Sequence, residues 1–352
     1  MNLIIKFLLA PFALFFLGLT NLRNHLFNIG YTKSFDFEVP VIGVGNLAVG
    51  GSGKTPMVEY ILDKLLDHHI KPATLSRGYK RQTKGFILAS NNDNATTLGD
   101  EPYQFYLKYR DKVTVTVGEE RALAIPNILF EKPDTQAIVM DDAYQHRYVT
   151  PDLSILLTDF HYPFYNDQIM PWGRLRERKK EARRASIIVV SKCEESLSSK
   201  TMHLMEEQIK KYSKPDALIC FTSISYQTPQ PVFPDSTLPF EDNVVLMTGI
   251  ANNLPLKNYV SGKYQLLDTI SYPDHHFYTS KDVKEIVDKL DQQKGLKKTL
   301  LTTEKDRAKL LNLQEIHDLK DLSVYYVPIK VMFIKNGKAF DEMVMKAIKN
   351  NN

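Results

Sequence analysis

The segment 48–55 limits the possible folds of this chain more than any other, because it reads Ala-Val-Gly-Gly-Ser-Gly-Lys-Thr. It matches the phosphate-loop pattern G-x-x-x-x-G-K-[ST], with alanine in place of the first glycine. The apolar run 39–45 precedes it, and a helical pattern follows it over 54–67. This order of strand, glycine-rich loop and helix predicts a nucleotide-binding P-loop domain built on a parallel sheet.

The loop residues have distinct expected roles in binding phosphate. Glycines let backbone N–H groups approach phosphate oxygens closely. Lys54 is expected to reach the β- and γ-phosphates, and Thr55 is expected to hold Mg²⁺. The expected ATP-binding residues are Ala48, Val49, Gly50, Gly51, Ser52, Gly53, Lys54 and Thr55. GTP is disfavoured, because the segment 191–194 matches the guanine-binding motif N-K-x-D only loosely.

Two carboxylates, Asp141 and Asp142, stand at the end of the predicted strand 137–141. In P-loop proteins an aspartate at such a strand end supports Mg²⁺, so both are expected metal ligands. The sequence does not distinguish the direct ligand from its neighbour, and an apolar run ending in aspartate is also common where a strand simply enters a turn. Gln145 and His146 follow on a loop that is expected to lie beside the nucleotide.

Short apolar runs alternate with helical patterns along the whole chain, which predicts an α/β fold with mainly parallel sheets. The predicted strands are 39–45, 73–76, 113–117, 137–141, 153–158, 186–191, 217–222, 244–249, 265–270, 298–303 and 324–332. The predicted helices include 54–67, 119–131, 200–212, 280–291 and 304–312. The proline-rich segment 226–242 predicts a domain boundary.

The length of 352 residues, at about 150 residues per domain, indicates two domains. We expect a P-loop NTPase-type parallel sheet domain and a second, smaller α/β domain. The expected segments are an N-terminal helix (1–30), the P-loop domain (31–225), a linker (226–242), the smaller α/β domain (243–322), and a return strand with a C-terminal helix (323–352).

The N-terminal segment is unusual, because residues 7–19 form an unbroken apolar run and no acidic residue precedes Asp36. The run is short for a spanning helix, which needs about 20 apolar residues. Lys6, Arg23 and Lys33 suit anionic headgroups. Residues 1–30 therefore predict a helix that lies in the membrane interface. A buried packing helix and a spanning or signal segment are the alternatives.

The net charge and the cysteine count give two further expectations. The 45 basic and 41 acidic residues give a net charge of +4, which is too small to indicate nucleic-acid binding on its own. Two cysteines cannot form a disulfide framework, so a reducing compartment is expected. No obligate protein partner is evident from the sequence.

Several segments together resemble one family, the tetraacyldisaccharide 4′-kinases (lipid A 4′-kinases) of Gram-negative bacteria. They stand in the family's order and cover about residues 1–330, which makes the resemblance specific. Ala143 and Trp172 depart from the family, which usually has glycine and a small residue there, and position 48 is commonly serine or threonine. The matching segments are 44–56, 76–79, 98–102, 117–121, 141–146, 171–177, 274–277 and 302–306.

The resemblance implies the reaction and its location. The family transfers the γ-phosphoryl group of ATP to the 4′-hydroxyl of a tetraacyl glucosamine disaccharide 1-phosphate, a lipid A precursor. It implies two α/β domains with a cleft between them. It also implies an enzyme associated with the bacterial inner membrane, with its active site facing the cytosol.

The resemblance also implies roles for three residues far apart in the chain. Asp100 is expected to be the general base that takes the proton of the hydroxyl, and His275 is expected to orient it from the second domain. Arg121 is expected to neutralise charge at the transferring phosphoryl group. The sequence alone also allows other interpretations of these three residues. Asp100 is then an N-cap of the helix 101–109, His275 is a loop residue or a cap, and Arg121 is a surface arginine.

The expected substrate-binding residues are Arg77, Tyr79, Gln145, His146 and Arg176. An arginine can bind a phosphate of the lipid by a bidentate contact, and a tyrosine offers a ring for packing against a sugar. The basic segment 174–184, which includes Arg176, has two other interpretations. One is a solvated helix face, and the other is a surface for anionic lipid.

Two other functions stay open on the sequence. A membrane-anchored ATPase switch that binds a protein partner needs the P-loop, the pair of aspartates and the N-terminal helix, but it does not need Asp100, His275 or Arg121. A soluble kinase of small molecules is the weaker alternative, because it leaves the first thirty residues unexplained.

Overall fold

The computed structural model describes residues 3–292, 295–311 and 317–349. Its strands are β1 (Val41–Asn46), β2 (Pro72–Ser76), β3 (Ile87–Leu88), β4 (Thr114–Val117), β5 (Ala137–Met140), β6 (Leu153–Asp159), β7 (Ile187–Ser191), β8 (Leu218–Tyr226), β9 (Gln230–Pro231), β10 (Asn243–Thr248), β11 (Gln265–Ser271), β12 (Thr299–Thr303), β13 (Val324–Val327) and β14 (Ile329–Lys335). Its helices are α1 (Leu3–Asn28), α2 (Lys54–Asp67), α3 (Ala95–Leu98), α4 (Asp100–Tyr109), α5 (Arg121–Glu131), α6 (Ser199–Lys210), α7 (Leu254–Lys263), α8 (Ser280–Gln292), α9 (Glu304–Leu310), α10 (His317–Lys320) and α11 (Gly337–Lys349). The predicted segments also include residues 1–2, 293–294, 312–316 and 350–352, which lie outside the described residues.

The larger of the two sheets has the spatial order β14-β8-β7-β6-β1-β5-β2-β4-β3. Its strands from β8 to β4 run parallel, and the antiparallel strands β14 and β3 form its edges. The strand that precedes the glycine-rich loop, β1, is central and lies between β6 and β5. The expectation of an α/β fold with a P-loop-type parallel sheet is confirmed.

Helix α2, which begins at the end of the glycine-rich loop, buries an apolar face in the main core. Its buried apolar residues recur with a helical period: Met57, Val58, Ile61, Leu62 and Leu65. Full burial of each such side chain stabilises the fold by about 1.5–3 kcal/mol. The C-terminal helix α11 adds Phe340, Val344 and Ile348 to the same core cluster. This packing fixes the position of the helix that carries Lys54.

The smaller sheet has the order β11-β10-β12-β13-β9, with antiparallel β9 at one edge. The chain passes between the two sheets through residues 227–229 and again through Pro328. The two passages lie side by side, since Gln227 N donates to Pro328 O over 2.8 Å. Pro328 has no N–H group to donate to a ladder. It divides the predicted strand 324–332 into β13 and β14, which lie in different sheets.

Three local expectations differ from the structure. Residues 230–233 of the predicted linker belong to the smaller sheet, because β9 pairs with β13 and Val232 and Phe233 are buried in its core. The basic segment 174–184 is not a solvated α-helix. Only Lys179–Arg184 form a helix, of the 3₁₀ type, and Glu181 is buried with the Arg184 guanidinium 3.6 Å away. The edge strand β3 was not expected, because two residues carry no periodic signal.

Helix α1 packs on one side and exposes apolar side chains on the other. Ala13, Asn24 and Phe27 are buried, and Ala13 belongs to an apolar cluster that includes Leu156 and Ile188 of the larger sheet. The exposed apolar residues are Leu8, Phe12, Leu14, Phe15, Leu19 and Leu22, each more than half exposed. Within the described residues, no helix has the length and hydropathy needed to cross a membrane.

Candidate active site

The site lies at the edge of the larger sheet where its parallel strands end. Because these strands point the same way, the loops that follow β1, β2, β4 and β5 meet at one edge, the usual place for a ligand in such sheets. The glycine-rich loop follows β1, and the segment 76–79 follows β2. Arg121 comes shortly after β4, and Asp141 and Asp142 come directly after β5.

The glycine-rich loop is held by contacts from neighbouring strands. Gly53, with φ 78°, adopts a left-handed conformation just before α2, which favours glycine at this position. Asn46 Nδ2 donates to Ser52 Oγ over 2.8 Å, and Ser191 Oγ donates to Ser52 O over 2.8 Å. The buried side chains of Asn46 and Ser191 thereby fix the loop's curvature from β1 and β7.

A short backbone pairing supports the first half of the loop. Val49 N donates to Arg174 O over 2.8 Å, and Arg176 N donates to Leu47 O over 2.7 Å. Ala48 forms the bridge between these contacts, opposite Leu175. The start of the basic segment 174–184 is therefore a brace for the phosphate loop, which its charge pattern does not indicate.

Lys54 and Arg176 meet at one carboxylate. Lys54 Nζ lies 3.4 Å from Asp142 Oδ1, and Arg176 Nη1 donates to Asp142 at 3.0 and 3.2 Å. Arg176 Nη1 also donates to Gln145 Oε1 over 3.1 Å. Burial acts to raise the pKa of Asp142, but Lys54 and Arg176 outweigh it and hold the pKa below the usual value. Asp142 therefore stays ionised at neutral pH, beside the lysine expected to bind phosphates.

Asp141 is the more deeply buried carboxylate. Burial, and then the charge of Glu101, raise the pKa of Asp141 to about 7. A nearby cation would favour its ionised form, so this residue suits a metal ion. Within the described residues, no three His, Cys, Asp or Glu side chains gather into a metal site. Mg²⁺ usually keeps several waters and takes substrate phosphate oxygens, so Asp141, Asp142 and the half-buried Thr55 fit it.

Arg121 is a buried cation, and His146 is a neighbouring histidine that its charge affects. Arg121 is 2% exposed, so its interpretation as a surface arginine is wrong. Its guanidinium donates to Gly118 O and, over 3.5 Å, to Asp141 O. Burial lowers the pKa of Arg121 to about 10, which leaves it charged at neutral pH. Burial, and then Arg121, lower the pKa of His146 to about 4, so His146 is neutral, and the charge of the exposed Arg77 acts in the same direction.

Asp100 and His275 are 175 positions apart in the chain but in contact. His275 Nδ1 lies 3.2 Å from Asp100 Oδ2. Asp100 is the first residue of α4 rather than its cap, which is Gly99. Gly99 has φ 94°, and a Cβ there would lie 3.1 Å from the backbone of Gly78 and Tyr79. Glycine therefore allows α4 to begin directly against the loop after β2.

Neighbouring charges and an aromatic ring surround the pair of Asp100 and His275. Burial acts to raise the pKa of Asp100, but the hydrogen bond to His275 and the charges of Lys309 and Lys305 outweigh it and lower the pKa below the usual value. His275 has φ 58°, a conformation that is uncommon for a residue with a side chain. The ring of Tyr79 contacts His275 edge to face, with 5.6 Å between centroids.

The structure adds residues that the sequence reasoning did not assign to the site. Lys309 Nζ lies 3.8 Å from Asp100 Oδ2. Arg23 of α1, which was expected at lipid headgroups, donates to Gln145 O and lies 3.6 Å from Glu177 Oε1. Glu177 stands in the matched segment 171–177, and Lys309 stands one helical turn after Lys305 of the matched segment 302–306. Their places in or beside matched segments were the sequence signals that could have indicated a role at the site.

Comparison with known proteins decides the family. A family model described as tetraacyldisaccharide-1-P 4′-kinase (LpxK) matches residues 5–349. This chain belongs to the tetraacyldisaccharide 4′-kinase family. A curated tetraacyldisaccharide 4′-kinase of Flavobacterium johnsoniae is 39% identical, over 100% of this chain and 99% of that protein. One of Bacteroides thetaiotaomicron is 36% identical, over 97% of this chain and 93% of that protein.

A solved structure agrees with this assignment. The crystal structure of "apo" form LpxK from Aquifex aeolicus in complex with ATP superposes with a TM-score of 0.75 at 27% sequence identity. The superposition covers 98% of this chain and 99% of that one. The expectation of a kinase of the tetraacyldisaccharide 4′-kinase family is therefore confirmed. The individual roles of the site residues stay predictions.

Proposed function

We propose that this kinase transfers the γ-phosphoryl group of ATP to the 4′-hydroxyl of a tetraacyl glucosamine disaccharide 1-phosphate during lipid A synthesis. The contact of 3.2 Å between His275 Nδ1 and Asp100 Oδ2 carries this proposal. It brings an acid–base pair from two sheets together beside the loop that follows β2. A nucleotide switch that binds a protein partner has no acceptor hydroxyl to deprotonate, so it leaves this pair without a role.

The phosphate end of the site neutralises charge. Lys54 and Arg121 are the cations expected to stabilise the transferring phosphoryl group, and the backbone N–H groups of residues 48–53 bind the phosphates. Asp141, Asp142 and Thr55 are the residues proposed to hold Mg²⁺, which would neutralise the negative charge that develops during transfer. Arg176, by pairing with Asp142, keeps that carboxylate oriented towards Lys54.

The acceptor proton has two candidate receivers, Asp100 and His275. The sequence prediction gave the proton to Asp100. A carboxylate whose pKa is held below the usual value is a weak base at neutral pH, whereas imidazole is the usual group for proton transfer near neutrality. The side chain of His275 is 24% exposed and that of Asp100 is 11% exposed. We therefore assign the proton to His275 Nε2, with Asp100 holding Nδ1 and stabilising the imidazolium.

The acceptor sugar is proposed to bind beside Tyr79. The Tyr79 side chain is 61% exposed and its ring lies next to His275, so a sugar packed on that ring would present a hydroxyl to the imidazole. Arg77 is exposed and suits the 1-phosphate through a bidentate contact. Gln145, His146 and Arg176 complete the proposed substrate surface between this point and Lys54.

Helix α1 is proposed to hold the enzyme on the cytosolic face of the inner membrane. Its exposed apolar side chains, among them Phe12 and Phe15, form a surface suited to the acyl region of a lipid layer. The same helix contacts the site, because Arg147 Nη1 donates to Asn24 O over 2.9 Å and Arg23 donates to Gln145 O. A lipid substrate entering from the membrane would thus meet the site beside α1.

The direct test is transfer of label in detergent micelles. With γ-labelled ATP, Mg²⁺ and a tetraacyl disaccharide 1-phosphate, we expect label in the lipid at its 4′ position. The matched control is the same lipid already phosphorylated at the 4′ position, which should accept no label. ATP hydrolysis without label in either lipid would contradict the proposed function and favour the switch.

The membrane role predicts a loss of vesicle binding when α1 is made polar. We expect the double change Phe12→Asp and Phe15→Asp to weaken binding to phosphatidylethanolamine–phosphatidylglycerol vesicles at least about tenfold, because each phenylalanine that moves from water into the lipid layer contributes about 1.5–3 kcal/mol. Flotation measures this. Leu254→Asp, at an exposed leucine of the smaller domain, is the control and should float like the wild type. Equal flotation of the double variant would contradict the membrane role.

A further inference from the structure

A histidine nitrogen and a lysine ammonium group both lie close to one oxygen of Asp100. Oδ2 lies 3.2 Å from His275 Nδ1 and 3.8 Å from Lys309 Nζ. Lys309 comes from α9, which follows β12 of the smaller sheet, and α9 packs against α4, which begins at Asp100. The lysine therefore reaches Asp100 across the boundary between the two sheets.

Lys309 is fixed in place by a second carboxylate. Its side chain is 4% exposed, and its Nζ lies 3.5 Å from Oδ1 of the fully buried Asp306. Asp306 Oδ2 accepts from Gly249 N at 2.9 Å and from Thr303 Oγ1 at 2.7 Å. A buried ammonium group is costly unless it is paired. The pairing with Asp306 and Asp100 compensates this cost, and it leaves the ammonium group in one position.

Helix α9 also reaches the far end of the acid–base pair. Lys305 Nζ lies 2.8 Å from Asp274 Oδ1, and Asp274 Oδ2 lies 3.7 Å from His275 Nε2. Lys305 and Lys309 are four residues apart and thus share one helix face. Two lysines of one short helix therefore hold the two carboxylates that flank His275.

We propose that Lys309 is a positioning residue for phosphoryl transfer, whose ammonium group, fixed by Asp306, holds Asp100 against His275 and keeps it ionised. This inference rests on the proposed function. Lys309 does not touch the acceptor and takes no part in the proton transfer. It acts through Asp100, which in turn acts through His275.

The proposed step balances without any further reactant. The O–H bond of the acceptor hydroxyl breaks and its proton goes to His275 Nε2. The oxygen's electron pair forms the bond to the γ-phosphorus of ATP. The bond between the γ-phosphorus and the bridging oxygen breaks, and ADP leaves with that electron pair. Asp100 remains an anion and stabilises the imidazolium. The charge of Lys309 favours this ionised form of Asp100.

The charges around the pair set the direction of the expected pH effect. Lys309 and Lys305 from α9 and His275 from its loop lower the pKa of Asp100, while burial opposes them. Asp306 on α9 and Asp274 on the loop are the anions that face these cations. Removing Lys309 takes away positive charge, so the groups of the pair hold their protons to higher pH. The acidic limb of the pH profile of kcat/KM must then move to higher pH.

The test is the pH profile of lipid phosphorylation by Lys309→Met. We expect its acidic limb to move up by about one pH unit, the low end of the effect of a charge at this distance. The variant should then be about tenfold slower at pH 6 and within about threefold of wild type at pH 9. Lys309→Arg keeps the charge and should restore the limb. Lys289→Met removes a lysine of α8 that lies 4.0 Å from Asp268, and it should leave the limb unchanged.

Three results would overturn the proposal. One is an unchanged profile for Lys309→Met. The second is a loss equal at every pH, which a merely structural role would give. The third is a limb that Lys309→Arg fails to restore. Thermal unfolding checks that the variants fold, and if Lys309→Met does not, Lys309→Gln is measured against the same expectation. A wild type that places no label in the lipid would instead refute the proposed function itself.

Discussion

Replacing His275 by asparagine is expected to lower kcat for lipid phosphorylation about 10²- to 10⁴-fold, the usual contribution of a positioned base. Asparagine tolerates the left-handed backbone that His275 adopts, with φ 58°. Its amide can donate to Asp100 as the imidazole does, but it cannot accept a proton. The variant therefore separates the two assignments, because the loss stays below about tenfold if Asp100 takes the proton itself. Initial rates at saturating ATP and lipid measure it.

The neighbouring histidine is a matched control. His276 Nε2 lies 3.1 Å from Asp282 Oδ2, and its ring stacks on Tyr272 at 4.6 Å. It thus supports its own loop and the start of α8 rather than Asp100. We expect His276→Asn to stay within about threefold of wild type in kcat. Equal losses in the two variants would show damage to the loop and would remove the support for a base at His275.

Replacing Lys54 by methionine is the second change with a large expected effect. Its side chain is 12% exposed and lies 3.4 Å from Asp142, at the start of α2. A cation at this position stabilises charge that develops on the transferring group, and loss of one such contact costs about 10²- to 10³-fold in kcat. Methionine keeps most of the side-chain packing. Nucleotide binding, measured by titration, should weaken much less than kcat falls.

A lysine further along the same helix provides the comparison. Lys64 lies 3.0 Å from Asp341 of α11 and is one-third exposed. Partly exposed ion pairs contribute about 1 kcal/mol or less. Lys64→Met should therefore lower the unfolding temperature slightly and leave kcat within about twofold of wild type. If Lys54→Met kept the wild-type rate, the assignment of Lys54 to the phosphates would be wrong.

Much of the fold was predictable because its signals are local. The strand before 48–55, the helix after it and the carboxylates after β5 are each encoded within about fifteen residues. Apolar runs of buried parallel strands and the helical period locate such elements directly. The prediction failed where that signal is weak. The edge strands β3 and β9 have two residues each, and the basic charge pattern of 174–184 concealed a segment that braces the phosphate loop.

The candidate site was predicted in part. Lys54, Thr55, Asp141 and Asp142 follow from motifs whose mechanism is known, whereas Asp100 and His275 were reached only through the family resemblance. Arg121 illustrates the limit, because its sequence context allows a surface residue and the structure buries it beside Asp141. The ionisation of such groups depends on burial and on neighbouring charges. Neither can be known before the chain is folded.

The sequence by itself determined the α/β class, the phosphate loop, the strand-end carboxylates and, through its ordered motifs, the family. Each of these depends on residues that are close together in the chain. The family resemblance predicted that His275 approaches Asp100, and the structure shows the contact. Only the tertiary structure decided that Lys309 reaches the same carboxylate and that Arg23 of α1 contacts Gln145. These contacts depend on the order of strands in two sheets and on the two passages between them. No local pattern encodes that arrangement, because it results from packing the whole chain.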